Sequence, residues 1–386
     1  MIKKFIVISA LTIFCLADSM ASEAWNPKSN FGGVGRHRGT GVSIGTKGYI
    51  GLGHYNGTGL NVMFSDWWEY DPSTNSWSQK ADYPFPTYAA ASFSIGMKCY
   101  VGTGVSAGNQ FYCFDPIANT WTGIADVPIG STDQNGFSVH DKGYYLYSNE
   151  LYEYDPLLNT WAAKSLGPFG WGSWPSTFVI DDKAYVKTGA GFYEYKQSTD
   201  QWIQRAPFPG LATGGSASFA VNGKGYIICG YIGWLSELSD EVWEYDPALN
   251  TWTLLSDFPG NGRRFSSSFN IGNKGYLGIG TTGTNMRDFW EFDEVLAISK
   301  LSELFQVSEP YPNPSSDFVN FNIQSNQTNV HSIQVKLFDV AGREVYSEQF
   351  QQSTLQISKE KIGQGLFIYQ ILADNQKIKT GKLIFE

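Results

Sequence analysis

The sequence predicts an all-β chain, a six-bladed β-propeller followed by a small β-sandwich, and three observations predict it. A Lys-x-Tyr triplet recurs six times, starting at Lys47, Lys98, Lys142, Lys183, Lys224 and Lys274. Behind each comes an aromatic-acidic pair: Tyr70-Asp71, Phe114-Asp115, Tyr154-Asp155, Tyr245-Asp246 and Phe292-Asp293, with Tyr195-Lys196 the one exception. Tryptophans at 25, 77, 121, 161, 202 and 252 complete the pattern, and a period of about 40–50 residues marks a repeat architecture.

The spacing assigns the elements. From the pair's aromatic residue to the tryptophan the distance is always 7, and from tryptophan to the next lysine always 21 or 22. Only the stretch from the triplet tyrosine to the aromatic pair varies, between 10 and 21 residues. One exposed connection per repeat therefore takes up the insertions. Each repeat reads as four strands. In the last, Ser266–Ile271 alternates, turns through Gly272-Asn273-Lys274-Gly275, returns as Tyr276–Gly280 and continues at Phe289–Phe292. Complete repeats add a turn such as Asp71-Pro72-Ser73-Thr74-Asn75 before the tryptophan strand.

The last repeat has no tryptophan seven residues past Phe292, where Ser299 stands. The segment Glu23–Gly33, around Trp25, resembles Asn250–Gly262 and supplies the missing strand from the other end of the chain. Such an exchange leaves no free sheet edge. The six repeats, from Trp25 to about Phe292, resemble the kelch family of β-propellers. They depart from its usual Gly-Gly at the end of the second strand, with Gly-x-Gly as in Gly102-Thr103-Gly104 and neither in Tyr145-Leu146-Tyr147.

Residues 1–21 carry Lys3 and Lys4, an apolar run from Phe5 to Leu16, and Ser19-Met20-Ala21, the pattern of a secretory signal peptide. No other segment is long and apolar enough to form a transmembrane span. The propeller is expected over 22–294 and a linker over 295–308. From 309 to 386 short strands predict a small immunoglobulin-like β-sandwich, with a final hairpin at Leu366–Leu372 and Ile378–Phe385. Tyr311-Pro312-Asn313-Pro314, Leu337-Phe338-Asp339-Val340-Ala341-Gly342-Arg343, Gly365-Leu366-Phe367 and Gly381-Lys382-Leu383-Ile384 together resemble the C-terminal sorting domain of type IX secretion cargo. That resemblance implies the type IX secretion machinery as a partner, and a secreted or outer-membrane surface-attached product.

With 27 basic and 36 acidic residues the net charge is −9, which speaks against nucleic acid as a partner. The four histidines form no metal-binding spacing and no Cys-x-x-Cys occurs, so no cofactor and no metal is expected. Cys99 and Cys113 fall on adjacent strands of blade 2 and are a disulfide candidate in an exported chain, or else two buried thiols.

The irregular feature is arginine. Five of the propeller's six, Arg36, Arg38, Arg263, Arg264 and Arg287, fall in connections on one face over blades 6 and 1, joined by His37, His54, Tyr55 and Trp234. Guanidinium groups and aromatic rings there suit a carboxylate-bearing glycan or an acidic protein ligand. In kelch repeats an arginine just before the first strand is often structural, which covers Arg36 and Arg263. Two functions fit: an exported binding module, or a sugar-acid mutarotase resembling the kelch-type N-acetylneuraminate epimerase. For the second, Asp133 and His37 are the titratable candidates near the channel mouth.

Overall fold

The computed structural model describes residues 24–57, 59–170, 174–233, 236–293, 305–325, 333–340, 342–350, 354–373 and 376–386. The expected signal peptide and Trp234 lie outside them. Between Trp25 and Phe292 the strands form six four-stranded sheets. Five are simple meanders. The sixth takes Trp25–Pro27 as its outer strand against Phe289–Phe292, with Trp25 opposite Phe292. Inner strands touch their neighbours right round the molecule, and Thr40–Ile44 meets both Ala91–Ile95 and Ser267–Ile271. The ring is a closed β-propeller.

The repeated residues form a repeated set of bonds. The triplet lysine pairs with the acid of the aromatic-acidic pair, as Lys98 with Asp115 at 3.1 Å and Lys142 with Asp155 at 2.8 Å. The triplet tyrosine donates to a glutamate on the third strand, as Tyr185 to Glu194 at 3.0 Å and Tyr226 to Glu244 at 2.9 Å. The tryptophan reaches the preceding blade. Its indole N–H donates to the carbonyl of Ala81 (from Trp121), Ala125 (from Trp161) or Ala206 (from Trp252), at 2.8–3.1 Å. The asparagine two residues earlier accepts from the N–H of that same alanine, through Asn119, Asn159 and Asn250. One residue of each connection is thus held at both its N–H and its C=O.

The glycine of the triplet makes room between blades. A Cβ on Gly143 would stand 2.0 Å from the Phe93 ring, and one on Gly225 2.0 Å from Phe178. Blade 4 has Ala184 in its place and blade 2 the larger Cys99, for which the inner strand of blade 1 compensates. Where the other inner strands carry phenylalanine, blade 1 carries Val42, which shares a core cluster with Cys99. Cys99 is a packing residue.

This overturns the disulfide candidate. Cys99 stands opposite Phe114, and Cys113 opposite Tyr100, so the two thiols project from opposite faces of the sheet. Both are free. The expected linker also ends sooner than 308, because Phe305–Val307 already pairs with the strand Phe318–Ser325 and Val307 packs on the core beneath. That strand joins Phe318–Ser325 and Thr354–Ser358 in one sheet. Ile333–Phe338, Glu344–Phe350, Gly365–Ala373 and Gln376–Phe385 form the other. Phe321 and Ile357 meet Val335, Tyr369 and Leu383 in a shared core between them.

Two substitutions test this packing. Val42→Phe should destabilise by about 1–3 kcal/mol through overpacking, and adding Cys99→Gly should recover most of the loss. Additive losses in the double mutant, read by thermal melts, would sink the exchange of volumes. Lys187 is the second case. It is 3% exposed on the second strand of blade 4, bonded to the Ala212 carbonyl at 2.5 Å, and burial lowers its pKa to about 8. Folding disfavours its charged form, so its penalty is fully present below pH 8 and lifts as pH rises from 8 toward the unfolded value of 10.5. Lys187→Met should therefore raise stability at pH 7 by up to about 3 kcal/mol and abolish the gain between pH 8 and 10. Above pH 10 the buried tyrosines, whose hydroxyls burial pushes up, reverse the slope in both proteins. An unchanged profile below pH 10 would refute the assignment.

Candidate ligand site at the channel mouth

Nine residues before each triplet lysine stand Arg38, Ala89, Asp133, Trp174, Gly215 and Phe265. All six adopt the left-handed backbone conformation, with φ between 52° and 68°. The N–H of each donates to the carbonyl of its counterpart in the preceding blade: Ala89 to Arg38, Asp133 to Ala89, Trp174 to Asp133, Gly215 to Trp174, Phe265 to Gly215, and Arg38 to Phe265. The cycle is closed. For the five that are not glycine this conformation costs about 1–2 kcal/mol each, which the cyclic bonding offsets. All six line the mouth of an axial cavity of about 200 Å³. Its polar wall is built from Thr40, Ser92, Asn135, Thr177, Ser218 and Ser268 on the six inner strands.

Arg38 is the cation of this lining and Asp133 its carboxylate. Arg38 donates through Nε to Asp133 at 2.7 Å, spanning from blade 1 to blade 3, and its guanidinium lies 3.8 Å from the Phe265 ring centroid. Both Nη groups of Arg38 have no hydrogen-bond partner among the described residues. Arg264 lies outside the cavity lining on the other side of that ring, 5.3 Å from the Phe265 centroid and 4.8 Å from that of Tyr231, and pairs with no carboxylate among the described residues. Two guanidinium groups thus share one aromatic ring, and only Arg38 has a carboxylate partner. The buried indole nitrogen of Trp174 also has no partner among the described residues.

The remaining expected site residues divide. Arg36 and Arg263 are fully buried and belong to the scaffold. Each forks onto one carboxylate, Asp66 for Arg36 and Asp288 for Arg263, whose oxygens also accept from Trp68 and Trp290. Arg287 is exposed and bonds the Phe31 carbonyl at 2.8 Å, fixing the N-terminal segment. His37 and His54 form an edge-to-face ring pair at 5.0 Å behind the mouth, outside the cavity lining. His37 Nε2 is 3.0 Å from Asn56 Oδ1, and His54 stacks on Tyr88. Tyr55 is half-buried on the strand His54–Gly57, which pairs with Leu60–Met63 as a hairpin above blade 1.

Asp133 was legible from sequence, but Trp174 and Phe265 were not singled out. The signal was present in their shared place nine residues before a triplet lysine. Arg264 and His37 share the next position, ten before it, and Arg36 and Arg263 the one eleven before it.

Residues 309–386 match the family described as a secretion system C-terminal sorting domain, and residues 212–259 match the kelch motif. No curated protein matches the chain. Among solved structures, the one described as "Structure of YjhT" shares the fold with a TM-score of 0.56 at 16% identity, covering 67% of this chain and 94% of that one. No helix among the described residues is long and apolar enough to cross a membrane.

His37 gives the region a pH signature. Burial lowers its pKa to about 4, Arg38, His54 and Arg264 push the same way, and the Asn56 bond opposes them. The folded state holds the neutral ring, so this contribution is fully present above pH 6.5 and is lost as pH falls from 6.5 toward 4. His37→Gln should flatten that part of the melting-temperature profile. The same acid slope in the variant would show that other groups produce it.

Proposed function

Because the chain is a kelch-repeat propeller carrying a secretion-system sorting domain, and hence an exported protein, we propose that it is a binding module whose channel mouth takes an anionic sugar. The observation that carries this reading is the Arg38 guanidinium in the cavity lining, bonded to Asp133 through Nε alone, with Arg264 a second cation beside the lining on the Phe265 ring. A guanidinium with uncommitted donors at a partly enclosed mouth attracts an anion locally. The Nη groups of Arg38 offer a fork for a carboxylate. Phe265 and Trp174 offer apolar faces for a sugar ring, and the hydroxyl-lined wall below offers hydrogen bonds.

A second reading, a sugar-acid mutarotase, rests on Asp133, a carboxylate that lines the cavity. Its other candidate, His37, does not line it. Anomer exchange needs a proton taken and returned, and Asp133 is the one titratable group of that candidate pair able to do so there.

The test is calorimetric titration of the purified protein with uronate- and sialate-bearing sugars, for wild type, Arg38→Gln and Arg264→Gln. Each substitution should weaken binding about tenfold or more, since charge-assisted bonds contribute roughly 1.5–3 kcal/mol, with the melting temperature nearly fixed. Unchanged affinity would refute the site. Anomer exchange observed by NMR and abolished by Asp133→Asn would replace the binding module with the mutarotase.

A further inference from the structure

Three extended segments meet above blade 1, outside the cavity lining. His37 pairs with His54 in an antiparallel bridge, its N–H donating to the His54 carbonyl at 3.0 Å and the His54 N–H returning the bond at 2.9 Å. His54 is in turn the register partner of Met63 across the hairpin. Residues directly opposite in an antiparallel pair share a face, with Cβ atoms about 5 Å apart. His37, His54 and Met63 therefore stand in a row on one face, and Asn56 and Asn61, two residues along, form the next row of that face. Spacing along the chain hid this set, because its three members come from three segments.

The asparagines set the imidazoles. His37 Nε2 lies 3.0 Å from Asn56 Oδ1, and His54 Nε2 bonds Asn61 Oδ1. An oxygen acceptor places the ring proton on Nε2 and leaves Nδ1 of each ring as a bare lone pair. Both Nδ1 atoms are buried and have no partner among the described residues. A ring whose far N–H is held by a carbonyl oxygen is the arrangement that metal-ligating histidines adopt. The ring centroids are 5.0 Å apart, a separation that an ion about 2 Å from each nitrogen bridges. Met63 supplies a flexible thioether from the other side of His54, its sulfur now accepting from the Ser106 hydroxyl at 3.7 Å.

The donors choose the metal. Two neutral nitrogens and a thioether form a soft set, and no carboxylate bonds either ring among the described residues. Hard divalent ions seek oxygen, whereas a thioether beside imidazoles selects monovalent copper. Charge argues the same way. The His37 ring lies 6.1 Å from that of Phe265, on which Arg38 and Arg264 both pack, so a single positive charge is opposed less than a double one. We propose that His37, His54 and Met63 form a site for Cu(I). His37 is buried but Met63 is 38% exposed, so the ion enters from solvent past the sulfur and exchanges there. The site stands independently of the anionic-sugar reading.

The experiment titrates the purified protein with Cu(I), kept reduced by ascorbate, against the coloured Cu(I) chelator bicinchoninate. Wild type should take up one equivalent. Met63→Leu, a volume-conserving change at an exposed position, should bind about tenfold or more weakly, with the melting temperature in the absence of copper unchanged. His54→Gln should lose the site. Cys113 is a half-buried free thiol, so Cys113→Ser is the control and should bind as wild type does. X-ray absorption at the copper edge of the wild-type complex should show both sulfur and imidazole nitrogen bound to the metal, a readout that needs no variant to fold. Failure to take copper from the chelator, tighter retention of Zn(II) than of Cu(I), loss of uptake in Cys113→Ser, full affinity in Met63→Leu, or a spectrum without sulfur would each overturn the proposal.

Discussion

Six main-chain hydrogen bonds, passed from blade to blade around the channel mouth, are the constraint on which the ring depends. They hold only if every blade presents its N–H and C=O tangentially, and the left-handed conformation at Arg38, Ala89, Asp133, Trp174, Gly215 and Phe265 does that. Because the backbone does the bonding, the side chains are free to differ. The six include a cation, an anion, two aromatics and two small residues, all facing one cavity. A position whose structural duty falls on the main chain is where a repeat protein can vary its chemistry without loosening its fold.

Away from the mouth the logic is the opposite. There the side chains do the bonding and cannot vary freely. The indole of Trp161 and the amide of Asn159 hold both polar groups of Ala125, and Trp252 with Asn250 does the same to Ala206. The arginines show both regimes within one short segment. Arg36 gives its fork to Asp66 and two main-chain carbonyls and is lost to any ligand. Arg38, two residues on, is held by its backbone and keeps most of its guanidinium uncommitted.

How much of this was legible followed from where each interaction is encoded. The blades were, because Lys-x-Tyr, the acidic pair and the tryptophan are each required by a bond that recurs. The strand exchange at Trp25 was legible for the same reason. The choice between a Cys99–Cys113 disulfide and two free thiols stayed open because adjacency of strands says nothing about parity. One residue of register put Cys113 opposite Tyr100 and turned the two thiols to different faces. The site was half legible. Arginine clustering pointed to the face of the channel mouth, but only the closed ring shows that Asp133, from blade 3, faces Arg38, from blade 1, across it. Trp174 and Phe265 were hidden because a single tryptophan or phenylalanine in an aromatic-rich chain carries no signal until its repeat position is compared with five others.

The pairing of Trp25 with Phe292 has a consequence for how the molecule comes into being. The strand made first waits for the strand made last, so the most distant contact in the propeller is also the one that seals it. Bringing such remote segments together adds little to the equilibrium cost, since loop entropy grows only with the logarithm of length. It does slow folding, which rewards near neighbours. A nascent or partly translocated propeller therefore remains an open crescent with an unpaired edge at each end, and edges of this kind recruit foreign strands. Completion of the last blade and protection from aggregation are the same event.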